Sequence, residues 1–239
     1  MAIPTNEWRN GGLVGRDGFC RTVPEQAAFA RKYYGDFDHF IRGPLTGSTA
    51  AVGWTVTQIT ATSSGTLVMA DEAGGWLNLT GGTHDGAGIQ MQSDGEAFLC
   101  AANKDIWFEA SIKATDADDL DWFLGLASTD TNVFSTDPSD IIAFRGDDGD
   151  ANIDFQARKA GTGDQADTAT DLVNATAIRL GFYVKGVTSV TPYINGAAQT
   201  AVTSNIPTSE MCLTFGMLNG GTANNNILAI DWYRVLQLA

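Results

Sequence analysis

The chain has 239 residues, 44% of them hydrophobic, enough for one large domain or two small ones with a substantial core. Its formal net charge of −14 argues against direct nucleic-acid binding, and no run of about 18 apolar residues offers a membrane span. The three cysteines, Cys20, Cys100 and Cys212, are odd in number and widely spaced. That speaks against a disulfide framework or a zinc site, and for buried thiols in a reducing compartment.

The first segment differs from the rest. Residues 1–42 carry a net charge of +1, whereas the remainder carries −15. The opening MAIPTNEWRNGG lacks a basic-then-apolar leader, so no Sec-type signal is expected. Thr22-Val23-Pro24-Glu25 has the form of a helix start. Thr22 caps, Pro24 enters the first turn, and Glu25 stands three residues on as in a capping box. Good helix formers follow and Gly35 ends them, so the expectation is a short helix over about 23–34. Glycine-rich, aperiodic flanks make residues 1–50 an arm that orders by docking, ahead of a second domain over 51–239.

From about residue 52 the pattern is β. GWTVTQIT (53–60) sets Trp54 and Val56 on one face against Thr55, Thr57 and Ile59. GTLVMA, GGWLNLTGG, GAGIQMQ and EAFLC follow between turn residues. In DIWFEASIKA, Trp107, Glu109, Ser111 and Lys113 alternate with Phe108, Ala110, Ile112 and Ala114, a period of two with one polar face. DWFLGLAS (121–128), DIIAF (140–144), NIDFQARK (152–159), IRLGFYVK (178–185), VTPYI (190–194), AQTAV (198–202), CLTFGML (212–218) and ILAIDWYRVLQ (227–237) complete the set. Pro192 demotes its strand toward an edge. Asn195-Gly196 is a strong hairpin signal, because both residues tolerate positive φ. Short strands at regular spacing, with no helical pattern between them and no fixed repeat, predict an all-β fold, an antiparallel jelly-roll β-sandwich.

The order of features resembles the concanavalin A-like and laminin G-like jelly rolls. Gly-Gly-Trp-Leu-Asn-Leu (74–79) comes early, IWFEASIKA is answered by WFLGLAS, a Tyr-Ile-Asn-Gly hairpin follows at 193–196, and the chain ends in IDWYRVLQ. It also looks like sandwich subunits of tailed-phage virions. That likeness implies a non-enzymatic structural protein, a capsid decoration (cement) subunit located on the virion. Residues 1–50 would bind the major capsid protein or another virion protein, and the subunit would form a homo-oligomer, a dimer or trimer. The alternatives are a carbohydrate-binding module recognising surface glycans and, behind it, a sandwich-fold glycoside hydrolase.

Candidate sites are few. His39 and His84 lie in loop-like sequence, and neither is set against a nucleophile and an orienting acid. The Glu-x-Asp-x-x-Glu strand of related sandwich glycosidases is missing. Glu96, Glu109 and Glu210 stand alone, and Asp119 with Asp121 is the one carboxylate dyad in sight. Two acidic clusters, Asp116 to Asp121 and Asp147 to Asp150 with Asn152, supply hard oxygens but not the order of an EF-hand. The surface-charge reading is preferred over calcium. Arg145-Gly146-Asp147 matches an adhesion tripeptide, yet it lies in RGDDGD, the acidic tip of a hairpin with Gly146 and Gly149 supplying positive φ. Trp54, Trp76, Trp107, Trp122 and Trp232 read as core, or as sugar-stacking surfaces where exposed. No catalytic, cofactor-binding or metal residue is assigned and no cofactor is expected.

Overall fold

The computed structural model describes residues 53–59, 65–72, 75–220 and 225–238, together with the backbone of strands at 8–9, 12–13 and 33–38. The strands are β1 (Trp8–Arg9), β2 (Gly12–Leu13), β3 (Tyr33–Asp38), β4 (Trp54–Ile59), β5 (Thr66–Ala70), β6 (Trp76–Thr80), β7 (Gly88–Ser93), β8 (Phe98–Leu99) and β9 (Ile106–Ala114). They continue with β10 (Leu120–Ala127), β11 (Ile141–Gly146), β12 (Asn152–Arg158), β13 (Gln165–Asp171), β14 (Ile178–Lys185), β15 (Ser189–Ile194), β16 (Ala197–Ala198), β17 (Glu210–Asn219) and β18 (Ile227–Leu238).

Two large antiparallel sheets pack face to face, β1 and β2 pair with each other separately, and no helix occurs among the described residues. Sheet I runs β16-β15-β14-β9-β18-β6-β5, with β3 also paired to β18. Sheet II runs β13-β12-β11-β10-β17-β7-β4, with β8 beside β17. β18 is long enough for its first part to pair with β6 (Ile227↔Thr80) and its last part with β3 (Leu238↔Tyr33), while β9 lies along its other side. The expected helix over 23–34 lies outside the described residues, except that Tyr33 and Tyr34 begin β3.

Period-two patterning fills the space between the sheets. Phe108, Ala110 and Ile112 of β9 meet Trp122, Leu124 and Leu126 of β10 in one buried cluster. Aromatic pairs bridge the layers: Trp54 of sheet II lies 5.9 Å edge-on to Tyr233 of sheet I, and Phe155 lies 5.9 Å from Phe182. Such pairs add about 0.5–1.5 kcal/mol each beyond the area they bury. Asn195 (φ 50°) and Gly196 (φ 82°) join β15 to β16 as a two-residue hairpin of the expected kind. Pro192 lies one strand in from the edge, beside the two-residue β16.

Gly146 departs from expectation. It is the last residue of β11, not a turn residue, and a Cβ there would stand 2.1 Å from Trp122 Nε1. The turn holds only Gly149 at positive φ (85°). Glycine at 146 is needed for close approach, so the RGD sequence is strand and turn, with no exposed tripeptide loop.

Sheet II carries a second apolar cluster on its outer face: Phe123, Ala127, Val133, Ile141 and Ala143, with Phe134 against them. WFLGLA and IIAF are therefore buried on both faces, which is why they read as continuous apolar runs. The cover is the chain's own β10–β11 connection, residues 128–140, folded back over the sheet.

Candidate functional site

Four strands of sheet II, β10 to β13, bring charged side chains to one outer corner. Arg145 is directly opposite Phe123 on one side and Asp154 on the other, and Asp154 in turn is directly opposite Asp167. Asp121 projects from the same face of β10, two residues from Phe123. Asp147 follows Arg145 by two residues at the start of the turn. The two acidic clusters of the sequence thus meet in space. The Asp148 N–H donates to Asp121 Oδ1 at 2.8 Å, and the Gly149 N–H donates to the Asp118 carbonyl at 2.7 Å.

Arg145 is the hub. Its Nη1 donates to Asp137 Oδ1 at 2.6 Å and to Gln156 Oε1 at 3.0 Å. Its Nη2 stands 3.7 Å from Asp147 Oδ1, and its buried Nε has no acceptor among the described residues. Asp137 also accepts from Gln156 Nε2 at 2.9 Å and lies 3.4 Å from Arg158 Nη1. Gln165 donates to Asp147 Oδ2, and the Ala169 N–H donates to Asp167 Oδ1 at 2.5 Å.

These surroundings push the carboxyls apart. Burial raises Asp154, and the charges of Asp147, Asp167 and Asp150 raise it further against the lowering pull of Arg145. Burial also raises Asp121; the Asp148 N–H lowers it, and Asp147 and Asp148 raise it again. Burial by itself would raise Asp137, but its hydrogen bonds from Arg145 and Gln156 and the charges of Arg145 and Arg158 outweigh that, so it lies below the usual carboxylate range. Carboxyls whose pKa values are pushed in opposite directions within one face are the elements of acid–base chemistry.

Other expected sites are placed differently. His84 is exposed, with Nδ1 3.2 Å from the Thr83 hydroxyl; His39 and Cys20 lie outside the described residues. Cys100 and Cys212 are buried, and burial pushes the Cys100 thiol up to about 12. The Asp119–Asp121 dyad is occupied: Asn226 Nδ2 donates to Asp119 Oδ2 at 3.1 Å, and Asp121 holds the Asp148 amide. Asp150 takes the backbone and side-chain amides of Asn152 at 3.0 and 2.7 Å. Among the described residues no group of three or more His, Cys, Asp or Glu is arranged to hold a metal.

Glu96 accepts the Thr129 N–H at 2.6 Å, and Glu210 is exposed at the start of β17. Glu109, on the outer face of sheet I, is 1% exposed between Arg179 (3.1 Å) and Arg234. Trp54 and Trp122 are core. Trp76 lies under Lys113 Nζ at 4.1 Å from its ring centre, and Trp107 lies against Tyr183 at 5.3 Å.

Sequence reasoning missed Asp137, Asp154 and Asp167 as partners. Asp167 lies on β13, whose QADTATD has no apolar stripe to mark it as a strand. Asp154 is one acid in an alternating strand, and only cross-strand register sets it against its neighbours.

No protein-family model and no curated protein sequence matches this chain. Its fold, however, is widely shared among solved structures. An endo-1,3-β-glucanase from Streptomyces sioyaensis superposes with a TM-score of 0.63 at 10% identity, covering 87% of this chain and 98% of that one. The Bacillus licheniformis β-glucanase gives 0.56 at 15%, covering 84% and 97%. A protein of unknown function from Shewanella oneidensis gives 0.61 at 13%, covering 91% and 95%. This neighbourhood overturns the expectation of a non-enzymatic capsid decoration subunit, since the scaffold is one that carries polysaccharide-cleaving enzymes and nothing in it speaks for a virion role. The protein has a two-sheet β-sandwich fold that β-glucanases also use.

Proposed function

We propose that this protein acts on a carbohydrate, with glycoside hydrolysis as its reaction and the Arg145–Asp154–Asp167 corner of sheet II as its site. The observation that carries this reading is Asp154, a carboxyl raised by burial and by flanking acids, directly opposite a second carboxylate on a scaffold shared with glucanases. Directly opposite side chains of an antiparallel pair lie about 5 Å apart at Cβ. Retaining glycosidases hold their two carboxyls about 5–5.5 Å apart.

In this reading Asp154 gives its proton to the departing glycosidic oxygen. Asp167, steadied by the Ala169 N–H, attacks the anomeric carbon and forms a glycosyl ester. Asp154, now ionised, takes a proton from the water that cleaves the ester and returns to its starting form. Arg145, bonded to Asp137 and Gln156, holds its positive charge beside Asp154. The usual strand bearing Glu-x-Asp-x-x-Glu has no counterpart among the described strands, so the acids come from neighbouring strands instead.

The test is reducing-end release from mixed-linkage and β-1,3-glucans by the full chain, beside Asp154→Asn and Asp167→Asn. Each substitution should lower the rate by about 100-fold or more. Glycan binding without release would remove the catalytic roles and leave a binding site. Neither binding nor release at millimolar oligosaccharide would remove the reading altogether.

A further inference from the structure

The connection over 128–140 lies across the outer face of sheet II and is fastened at both ends and in the middle. Gln90, fully buried on β7, donates to the Asp130 carbonyl at 2.6 Å and accepts the Val133 N–H at 3.0 Å. Gln92, beside it and 4% exposed, accepts the Asp130 N–H at 3.0 Å and donates to Thr214 Oγ1 at 3.0 Å. Asn132 and Phe134 amides are held by the Asp130 and Asn132 side chains at 2.8 and 3.0 Å. Phe134 fits because residue 216 is glycine; a Cβ there would meet its ring at 3.0 Å. At the far end Asp137 is clamped by Arg145 and Gln156, and Asp140, 4% exposed, accepts the Ala160 N–H at 3.3 Å.

A strap with this many buried anchors is part of the folded sheet. It spans from β7 across β17, β10 and β11 to β12 and ends on the residues that border the acidic corner. From Asp154, a ligand running across the strands toward β17 meets the strap at Phe134. One running along β12 toward Arg158 meets Asp137. Among the described residues the corner is open toward the edge strand β13 and the 147–151 turn.

We propose that residues 128–140 make the site blind-ended, so that it receives the end of a glycan chain or a short oligosaccharide and not the interior of a long polysaccharide. This rests on the carbohydrate reading above and adds the substrate class: chain termini. Gln90, Gln92 and Gly216 are positioning residues that act through the strap.

Two measurements on the full chain test it. Hydrogen exchange reads the strap itself: the amides of Asp130 and Val133 should be protected as well as those of β10, and exchange within seconds would overturn a fixed strap whatever the activity. The second measurement compares reducing ends with viscosity on a soluble β-glucan. End attack raises reducing ends while viscosity stays nearly level; a steep early viscosity loss shows that chain interiors enter and overturns the proposal. Replacing 131–136 by Gly-Gly should raise viscosity loss per bond cleaved at least tenfold. Protected amides with no cleavage and no binding of any glucan sink the carbohydrate reading and the proposal built on it.

Discussion

Gln90→Ala is the sharpest perturbation of the strap. Gln90 makes two bonds to it, and their losses are unequal. Val133 is fully buried, so its N–H is stranded away from water, at about 1–3 kcal/mol. Asp130 is half-buried, so water partly replaces the lost donor to its carbonyl, at about 0.5–1 kcal/mol. Together these come to about 2–4 kcal/mol, or a Tm lower by roughly 5–15 °C for a domain of this size. Urea unfolding followed by tryptophan fluorescence reads the change directly. Gln92 holds the N–H of the same Asp130 whose carbonyl Gln90 holds, so Gln92→Ala should be non-additive with Gln90→Ala by more than about 0.5 kcal/mol. A Gln90→Ala protein within about 0.5 kcal/mol of the parent would refute the claim that these bonds fasten the strap.

Charge changes at the corner should carry opposite signs. Asp137 lies below the usual carboxylate range, so it contributes stability above the ordinary carboxylate pKa that is lost as pH falls through its lowered one. Asp137→Asn should cost about 1–2 kcal/mol at pH 7, the gap to the parent closing in acid. Asp154 is raised, so its ionisation opposes folding above its folded pKa and ceases to matter below the ordinary carboxylate value. Asp154→Asn should stabilise by about 0.5 kcal/mol at pH 7, a gain that vanishes in acid. Gly146→Ala should cost about 2–3 kcal/mol by thermal unfolding, because the new methyl meets buried Trp122 at the end of a strand that cannot shift freely. Cys100 and Cys212 should stay unlabelled by iodoacetamide at pH 8 until the protein is unfolded, since burial raises both thiols; rapid labelling of either in native protein would contradict that.

The fold was largely legible in the sequence, for a local reason. Alternation in IWFEASIKA puts Phe108, Ala110 and Ile112 into one core and Glu109 and Lys113 outside it, and a strand's period of two needs no tertiary information to be read. Asn195-Gly196 set a hairpin because both residues accept the left-handed backbone such a turn demands. The same local logic failed at Gly146, where the requirement is room for Trp122 and not conformational freedom. It failed again at β13, whose polar residues become a strand by pairing with β12.

The functional expectation went furthest astray because arm, charge and aromatic content describe a chain's surface chemistry without saying which side chains meet. Asp154 acquires its neighbours Arg145 and Asp167 through register across three strands. The strap over 128–140 is invisible as such in sequence, because Gln90 and Gln92 look like ordinary outward residues of a strand until residues 40 positions away fold onto them. Sequence by itself determined most of the strands from β4 onward, their inward faces and one turn, all properties of neighbouring residues. Tertiary structure alone decided the outer face of sheet II, where burial and charge depend on contacts between strands distant in the chain.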